Sequence, residues 1–270
     1  MAQNLPSLYK LYSMKAPYAL LAAMFFLTAC NKDNNSSDAQ ATISIYLTDD
    51  PSPYDKVLID VQRVEINDGT DNGWRPLHMI HPGVYNLLNF RNGKDTILAS
   101  DRLAKGRISQ VRLILGTNNS VVVDGVSLPL ETPSAQESGL KLNVDAQLTA
   151  SIEYKVWLDF DAARSIIATG NGKHILKPVI RVYTKAVSGS VKGTVLPSAA
   201  NAWVYALNGN DTIASAKPDS LNGNFLIQGL SAGTYSVAVD GSNSYNDTTY
   251  TNVNVTTGSV TDIGTVQLHQ

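Results

Sequence analysis

Apolar residues in this chain recur at every second position, in short runs broken by turn residues, and nowhere keep a helical spacing through three turns. Successive side chains of a strand point to opposite faces, so such alternation marks half-buried sheet. Ile43, Ile45 and Leu47 alternate with Thr42, Ser44 and Tyr46, and Val111, Leu113 and Leu115 oppose Gln110, Arg112 and Ile114. Leu140, Leu142 and Val144 repeat the pattern, residues 152–160 make a further long strand, and residues 179–183 close the region. Between residues 57 and 66 the phase slips: Val57, Ile59 and Val61 share one face, then Val64 and Ile66 take it over, as a β-bulge would produce. Residues 121–128 read as a hairpin turning at Asp124-Gly125, a pair that tolerates the positive φ of a type I′ turn. Only residues 161–167 have room for one or two helical turns.

A second series starts near Val187. Short strands follow at roughly 8–12-residue spacing with glycine turns, the signature of a β-sandwich. The expected fold is therefore all-β: two antiparallel β-sandwich-like domains in tandem, residues 41–185 and 186–270. Gly223-Asn224-Phe225, Gly229-Leu230 and Gly233-Thr234-Tyr235 resemble the carboxypeptidase regulatory-like domain, a transthyretin-like sandwich. That resemblance implies a non-catalytic module with Phe225 and Tyr235 in its core.

The first region also resembles a known family. Leu47-Thr48-Asp49-Asp50-Pro51, Pro133-Ser134, Ser138-Gly139-Leu140-Lys141-Leu142, Leu158-Asp159-Phe160-Asp161-Ala162, Ser165-Ile166 and residues 176–182 stand in the order of domain of unknown function 4382, common in surface lipoproteins of the Bacteroidota and of archaea. The family name implies no activity.

Ahead of both regions, Lys10 and Lys15 precede an apolar run, residues 19–27, which ends in Leu27-Thr28-Ala29-Cys30. The run is about half of the ~20 residues that a membrane span needs, and it reads as a secretory signal over residues 1–29. Met14-Lys15 makes the better start of such a signal. The final four residues resemble the lipobox of bacterial lipoproteins, which implies cleavage before Cys30 and acylation of that cysteine. Residues 30–40 then form a polar, flexible tether. From Cys30 onward the chain carries 19 basic and 23 acidic residues, a net charge of −4. This balance argues against nucleic acid as a partner and offers no basic patch for a membrane. Cys30 is the sole cysteine, so disulfides and cysteine-rich metal sites are excluded.

Candidate chemistry is sparse. Asp49, Asp50, Asp159 and Asp161 are the acids best placed to ligate a hard cation such as Ca²⁺; Asp159 and Asp161 share one side of an extended chain. The plain alternative is that they end a strand and cap the short helix after it. No Asp-x-Asp-x-Asp-Gly loop accompanies them. His78 and His81 have ligand spacing, but His174 and His269 are remote, and the pair reads as surface loop. No Gly-x-Ser-x-Gly elbow exists; Ser134, Ser188 and Ser190 read as turn residues. Glu65, Glu131, Glu137 and Glu153 are expected to face solvent. Trp157 and Trp203 read as core, whereas Trp74, after the Asp71-Asn72-Gly73 turn, has the better claim to an exposed, ligand-binding face. Thr96, Thr212, Ser220 and Thr248 follow aspartates in sequences resembling the O-glycosylation motif of Bacteroidota, and are expected in loops.

These readings converge on a non-enzymatic lipoprotein of the outer membrane, periplasmic or surface-facing and held by lipid on Cys30. It would act as a structural or binding component of the envelope, with an envelope protein or a glycan as partner. The alternative is a carbohydrate-binding accessory protein of a glycan-uptake system. No cofactor is expected other than the candidate Ca²⁺.

Overall fold

The computed structural model describes residues 40–69, 73–132, 138–170 and 172–270. The expected signal segment, Cys30, nearly all of the tether, the Asp71-Asn72 turn, Pro133, Ser134 and Glu137 lie outside them.

The chain runs through β1 (Gln40–Asp50), β2 (Lys56–Asn67), β3 (Trp74–Pro76), β4 (Gly83–Asn86), a 3-10 turn (Leu87–Asn89), β5 (Thr96–Ala104), β6 (Gly106–Leu115), β7 (Ser120–Val123), β8 (Val126–Glu131), β9 (Leu140–Leu148) and β10 (Glu153–Asp161). Helix α1 (Ala162–Ser165), β11 (Ile166–Ala168), β12 (His174–Leu176) and β13 (Ile180–Tyr183) complete the first half. The second half holds β14 (Gly189–Leu196), a 3-10 turn (Ser198–Ala200), β15 (Trp203–Asn208), β16 (Asp211–Ala216), β17 (Asn224–Leu230), β18 (Gly233–Asp240), β19 (Thr248–Val255) and β20 (Val260–Gln267).

In the first half a four-stranded sheet, ordered β13-β10-β1-β5, shares a core with a nine-stranded sheet, ordered β11-β12-β8-β7-β2-β6-β9 with β3 and β4 also on β2. The phase slip in β2 is a bulge: the register with β6 shifts between Val61 and Arg63. The shift keeps Val57, Ile59, Val61, Val64 and Ile66 all on the core side, each at most 1 % exposed. Without it, Val64 and Ile66 would face outward. The hairpin turns at Asp124 (φ 49°) and Gly125 (φ 77°), with the Gly125 N–H donating to Asp55 Oδ2 at 2.8 Å.

The second half packs β17-β14-β20 against β16-β15-β18-β19. Its core is built at period two from β-branched and small residues such as Val204, Ala206, Val237 and Val239, with Phe225 and Tyr235 buried among them.

Neither half is purely antiparallel. β1 pairs with β10, β8 with β12 and β14 with β20 in parallel. Parallel neighbours need a long crossover, and each of these pairs is separated by ample chain. Toward their C-terminal ends β1 and β10 are buried on both faces: on the outer side Thr48, Asp50, Trp157, Asp159 and Asp161 are each at most 7 % exposed. Their inner faces (Ile43, Ile45 and Leu47; Val156, Leu158 and Phe160) fill the first core. The outer side meets the second half at Asp50 and, through Arg181, at Asp159, whereas Glu153 and Lys155 at the start of β10 are exposed; the described residues all belong to one compact unit.

A buried ionic seam and a polar cleft

The parallel register of β1 and β10 sets Tyr46 opposite Trp157, Thr48 opposite Asp159, and Asp50 opposite Asp161. β13 then brings Tyr183 beside Trp157 and Arg181 beside Asp159. Tyr46, Trp157 and Tyr183 stack as a ladder, with centroids 5.0 Å and 5.9 Å apart, and Trp157 Nε1 donates to Asp95 Oδ2 at 2.7 Å. Arg181 forms an ion pair with Asp159. It also reaches into the second half, donating to the Gln228 and Gly229 carbonyls of β17 at 3.2 Å each. Asp50 Oδ2 accepts the Ser215 N–H of β16 at 3.3 Å. The Tyr183 ring lies against Gly229, whose φ is 70°; a Cβ there would stand 2.4 Å from Tyr183 Cδ1. The outer face of the sheet is therefore a seam joining the two cores.

Asp161 caps α1. Its Oδ1 accepts the Arg164 N–H at 2.8 Å, and its other oxygen pairs with the Arg164 side chain. Asp49 Oδ1 accepts from Ala162 N at 3.2 Å, while Oδ2 is buried without a protein partner. The capping role named for the strand-end acids is thus what Asp161 performs. Burial pushes the Asp49, Asp50 and Asp159 carboxyls up from their ordinary value, well above it for the first two. Repulsion from Asp159 adds to the rise at Asp49 and Asp50, and Arg181 opposes it at Asp50 and Asp159.

The four acids do not make a cation cage. Arg181 and Arg164 already hold Asp159 and Asp161. Among the described residues, no three His, Cys, Asp or Glu side chains are placed to share a metal ion. The cavity lined by Asp49, Asp50, Asp159 and Tyr183 measures about 20 Å³, room for little more than one water. Asp49, Asp50 and Asp159 are each at most 6 % exposed.

Beside the seam opens a larger cleft of about 710 Å³. One wall is the loop from Leu88 to Lys94; the other comes from residues 195–202 and 217–224. Thr48 Oγ1 holds that loop by donating to the Phe90 and Lys94 carbonyls at 2.8 and 3.1 Å. Asn92, in the left-handed region at φ 53°, donates from Nδ2 to the Lys217 carbonyl at 2.7 Å and ties the walls together.

The other expected sites are dispersed. Trp74 is half-buried at the start of β3, and the Arg112 guanidinium lies 4.3 Å from its ring centroid. Arg112 in turn pairs with Glu65. Glu65 is only 5 % exposed, contrary to the expectation of solvent exposure: the bulge sets it on the face of β2 away from the core, where Arg112, its register partner on β6, and Arg63 cover it. Glu131 and Glu153 are exposed, as expected. Trp157 is buried, whereas Trp203 is only half-buried, its ring beneath the Lys217 ammonium. His78, His81 and His269 are exposed and His174 is half-buried. Of the candidate glycosylation positions, Ser220 lies in an exposed turn. Thr96, Thr212 and Thr248 instead lie within the first two residues of strands, because pairing extends past the polar positions read as loops. Arg181, Arg91, Lys217 and Asn92 carry no motif that marks them in the sequence. For Arg181 a weaker signal exists, a lone arginine inside the apolar run of β13.

No curated protein matches the chain. Among solved structures, the Bacillus anthracis TIE protein is 12% identical, with 86% of this chain and 35% of that one covered and a TM-score of 0.24. The chain thus spans about a third of that protein's length. GBS52, the minor pilin of Streptococcus agalactiae, is 11% identical over 85% of this chain and 94% of its own, at a TM-score of 0.22. The shaft pilin SpaA of Lactobacillus rhamnosus GG is 10% identical over 83% of this chain and 96% of its own, at 0.21. Likenesses at these scores carry no argument. Residues 40–178, more than half of the chain and the whole of the first core, match the family described as "Domain of unknown function (DUF4382)", and the chain belongs to that family.

Proposed function

We propose that this chain is a non-catalytic binding or structural component of the bacterial cell envelope, anchored in the outer membrane by lipid on Cys30. The observation that carries the non-catalytic part is the fate of the buried acids. Asp159 is paired with Arg181, Asp161 caps a helix and Glu65 is held by Arg112, so each of these buried acids serves the fold. An enzyme would present such groups to a substrate. Of these, Asp159 joins the two cores through Arg181, beside the polar cleft. In this reading the second core is the carboxypeptidase regulatory-like module that its glycine-aromatic motifs resemble.

The anchor rests on Leu27-Thr28-Ala29-Cys30 and on the charge of the chain. One acyl chain binds a membrane only marginally, with K of about 10⁴ M⁻¹, and a basic patch is the usual supplement. A net charge of −4 from Cys30 onward provides none. Attachment therefore falls to the several chains of a lipobox cysteine. Labelling with radioactive palmitate in a lipoprotein-processing host tests this: wild type takes up label and Cys30→Ser does not. Equal labelling of the two overturns the anchor.

A further inference from the structure

The cleft is framed by three cations, Arg91, Lys94 and Lys217, that make no ion pair among the described residues, although Asp49 acts on Arg91 and Asp240 on Lys217 at longer range. Arg63, Arg75, Arg107, Arg112, Arg164 and Arg181 each lie within ion-pair distance of a carboxylate. Arg91 does not; among the described residues its only side-chain bond runs from Nε to the Leu88 carbonyl at 2.8 Å. Lys94 is exposed on the same wall and makes no ion pair. Across the cleft the half-buried Lys217 donates to the Asn201 carbonyl and lies 4.9 Å from the Trp203 ring centroid. Burial pushes its ammonium below the ordinary lysine value; Asp240 opposes that shift, and repulsion from Arg91 adds to it. Arg91 and Lys217 line opposite walls of the cleft as like charges, an arrangement that an anion bound in it would relieve.

The one acid lining the cleft, Asp219, forms no ion pair with these cations among the described residues. Asp219 Oδ1 is taken by the Leu221 and Asn222 N–H groups of its own turn, at 2.9 and 3.2 Å. The remaining polar lining is rich in side-chain amides, among them Asn89, Asn222 and Asn224. Amides offer both donors and acceptors and suit hydroxyl groups. Among the described residues no aromatic side chain lines the cleft, which leaves them without a platform for a nucleobase. Its volume lies within the ~300–1,000 Å³ typical of ligand sites. The walls are held in place by Thr48 and Asn92, which limits the ordering cost of binding.

We propose that this cleft binds an acidic oligosaccharide, with sugar carboxylates on Arg91, Lys94 and Lys217 and sugar hydroxyls on the asparagine amides. The proposal rests on the reading of the chain as a binding component of the envelope and names the ligand class.

The test is calorimetric titration of the full-length protein in detergent micelles with tetragalacturonate, with neutral galactotetraose and inorganic phosphate as controls. Tetragalacturonate is expected to bind at least tenfold more tightly than either control. Arg91→Gln with Lys217→Gln should weaken it at least tenfold, and the exposed Lys94→Gln should weaken it severalfold with an unchanged melting temperature. Equal affinity for the neutral sugar, phosphate binding as tight as that of the sugar acid, or indifference to both sets of substitutions overturns the proposal. Palmitate labelling of Cys30 is independent of these outcomes. Loss of sugar binding with labelling retained overturns the ligand class alone, and sugar binding without labelling overturns the anchor alone.

Discussion

In the first half of the molecule Asp49, Asp50, Asp60, Glu65, Asp159 and Asp161 are all buried; among the described residues of the second half the only buried polar side chain is Ser188. Both halves are stacked sheets, yet they are held differently. The second is a sandwich of valines, alanines and a few large residues. Such a core is stabilised by apolar area and packing, and it tolerates salt and pH. The first half adds polar staples to a core of the same kind. Asp60, for example, holds the segment after β6: its Oδ2 accepts from Asn118 N at 3.2 Å, while its own N–H donates to Asn119 Oδ1 at 2.9 Å. At the seam the staples join the halves. The contrast separates two uses of charge at one junction: buried and ion-paired between Asp159 and Arg181 at the seam, where it sets geometry, and half-buried or exposed, outside any ion pair among the described residues, at the cleft.

Breaking the seam should cost most. Arg181→Met leaves Asp159 buried without its partner beside two other raised-pKa acids, and breaking a buried pair in this way costs about 3–5 kcal/mol. Urea denaturation should show that loss, and the double variant with Asp159→Asn should recover much of it. A loss under about 1 kcal/mol would mean that the seam is better solvated than its burial indicates. In the second half, Ile227→Ala removes a fully buried side chain and should cost about 2–5 kcal/mol, with the same value at pH 5 and pH 8. A marked pH dependence there would dissolve the contrast between the halves.

Gly229 tests the seam from the other side. Gly229→Ala adds a Cβ in the left-handed region against the Tyr183 ring, and should destabilise by about 1–3 kcal/mol. Near-ultraviolet circular dichroism should report the disturbed Tyr46-Trp157-Tyr183 stack. Asp49→Asn is a gentler probe. The native state holds a proton on Asp49 more tightly than the unfolded chain does, so wild-type stability falls as pH rises from the ordinary carboxylate value of 3.8 through the raised native one. Asn mimics the protonated acid and can still accept from Ala162. The variant should gain on wild type progressively above pH ~4 and match it below; a pH-independent difference would refute the assignment. At the small end, Arg107→Ala removes a surface pair with Asp145, in which both side chains are more than half exposed. Its effect should stay under about 1 kcal/mol.

Much of the fold is legible in the residue order itself, because strand alternation and turn chemistry are local. The slip at Val61 to Val64, the Asp124-Gly125 turn and the short helix capped by Asp161 all need only neighbouring residues. The burial of Glu65 is not legible in the same way, since it depends on Arg112, which covers it from a different strand. The candidate acids are an intermediate case. Their places at strand ends are local, whereas their use as an ion-pair seam depends on Arg181, Ser215 and the β17 carbonyls.

The sequence alone determined that this chain would be sheet, where its strands would slip and turn, and that its first region carries the motifs of a family, since period-two burial and positive φ are written within a few residues. Only the tertiary structure decided that β1 and β10 lie parallel and that a second core meets the C-terminal ends of their outer face. That contact converts polar alternation, which reads as solvent-facing, into a buried ionic seam. It also brings Arg91 and Lys217, 126 positions apart in the sequence, to opposite walls of one cleft. Pairings at such separations leave no periodic trace in either segment, because what stabilises them is the desolvation and charge of a partner supplied from elsewhere.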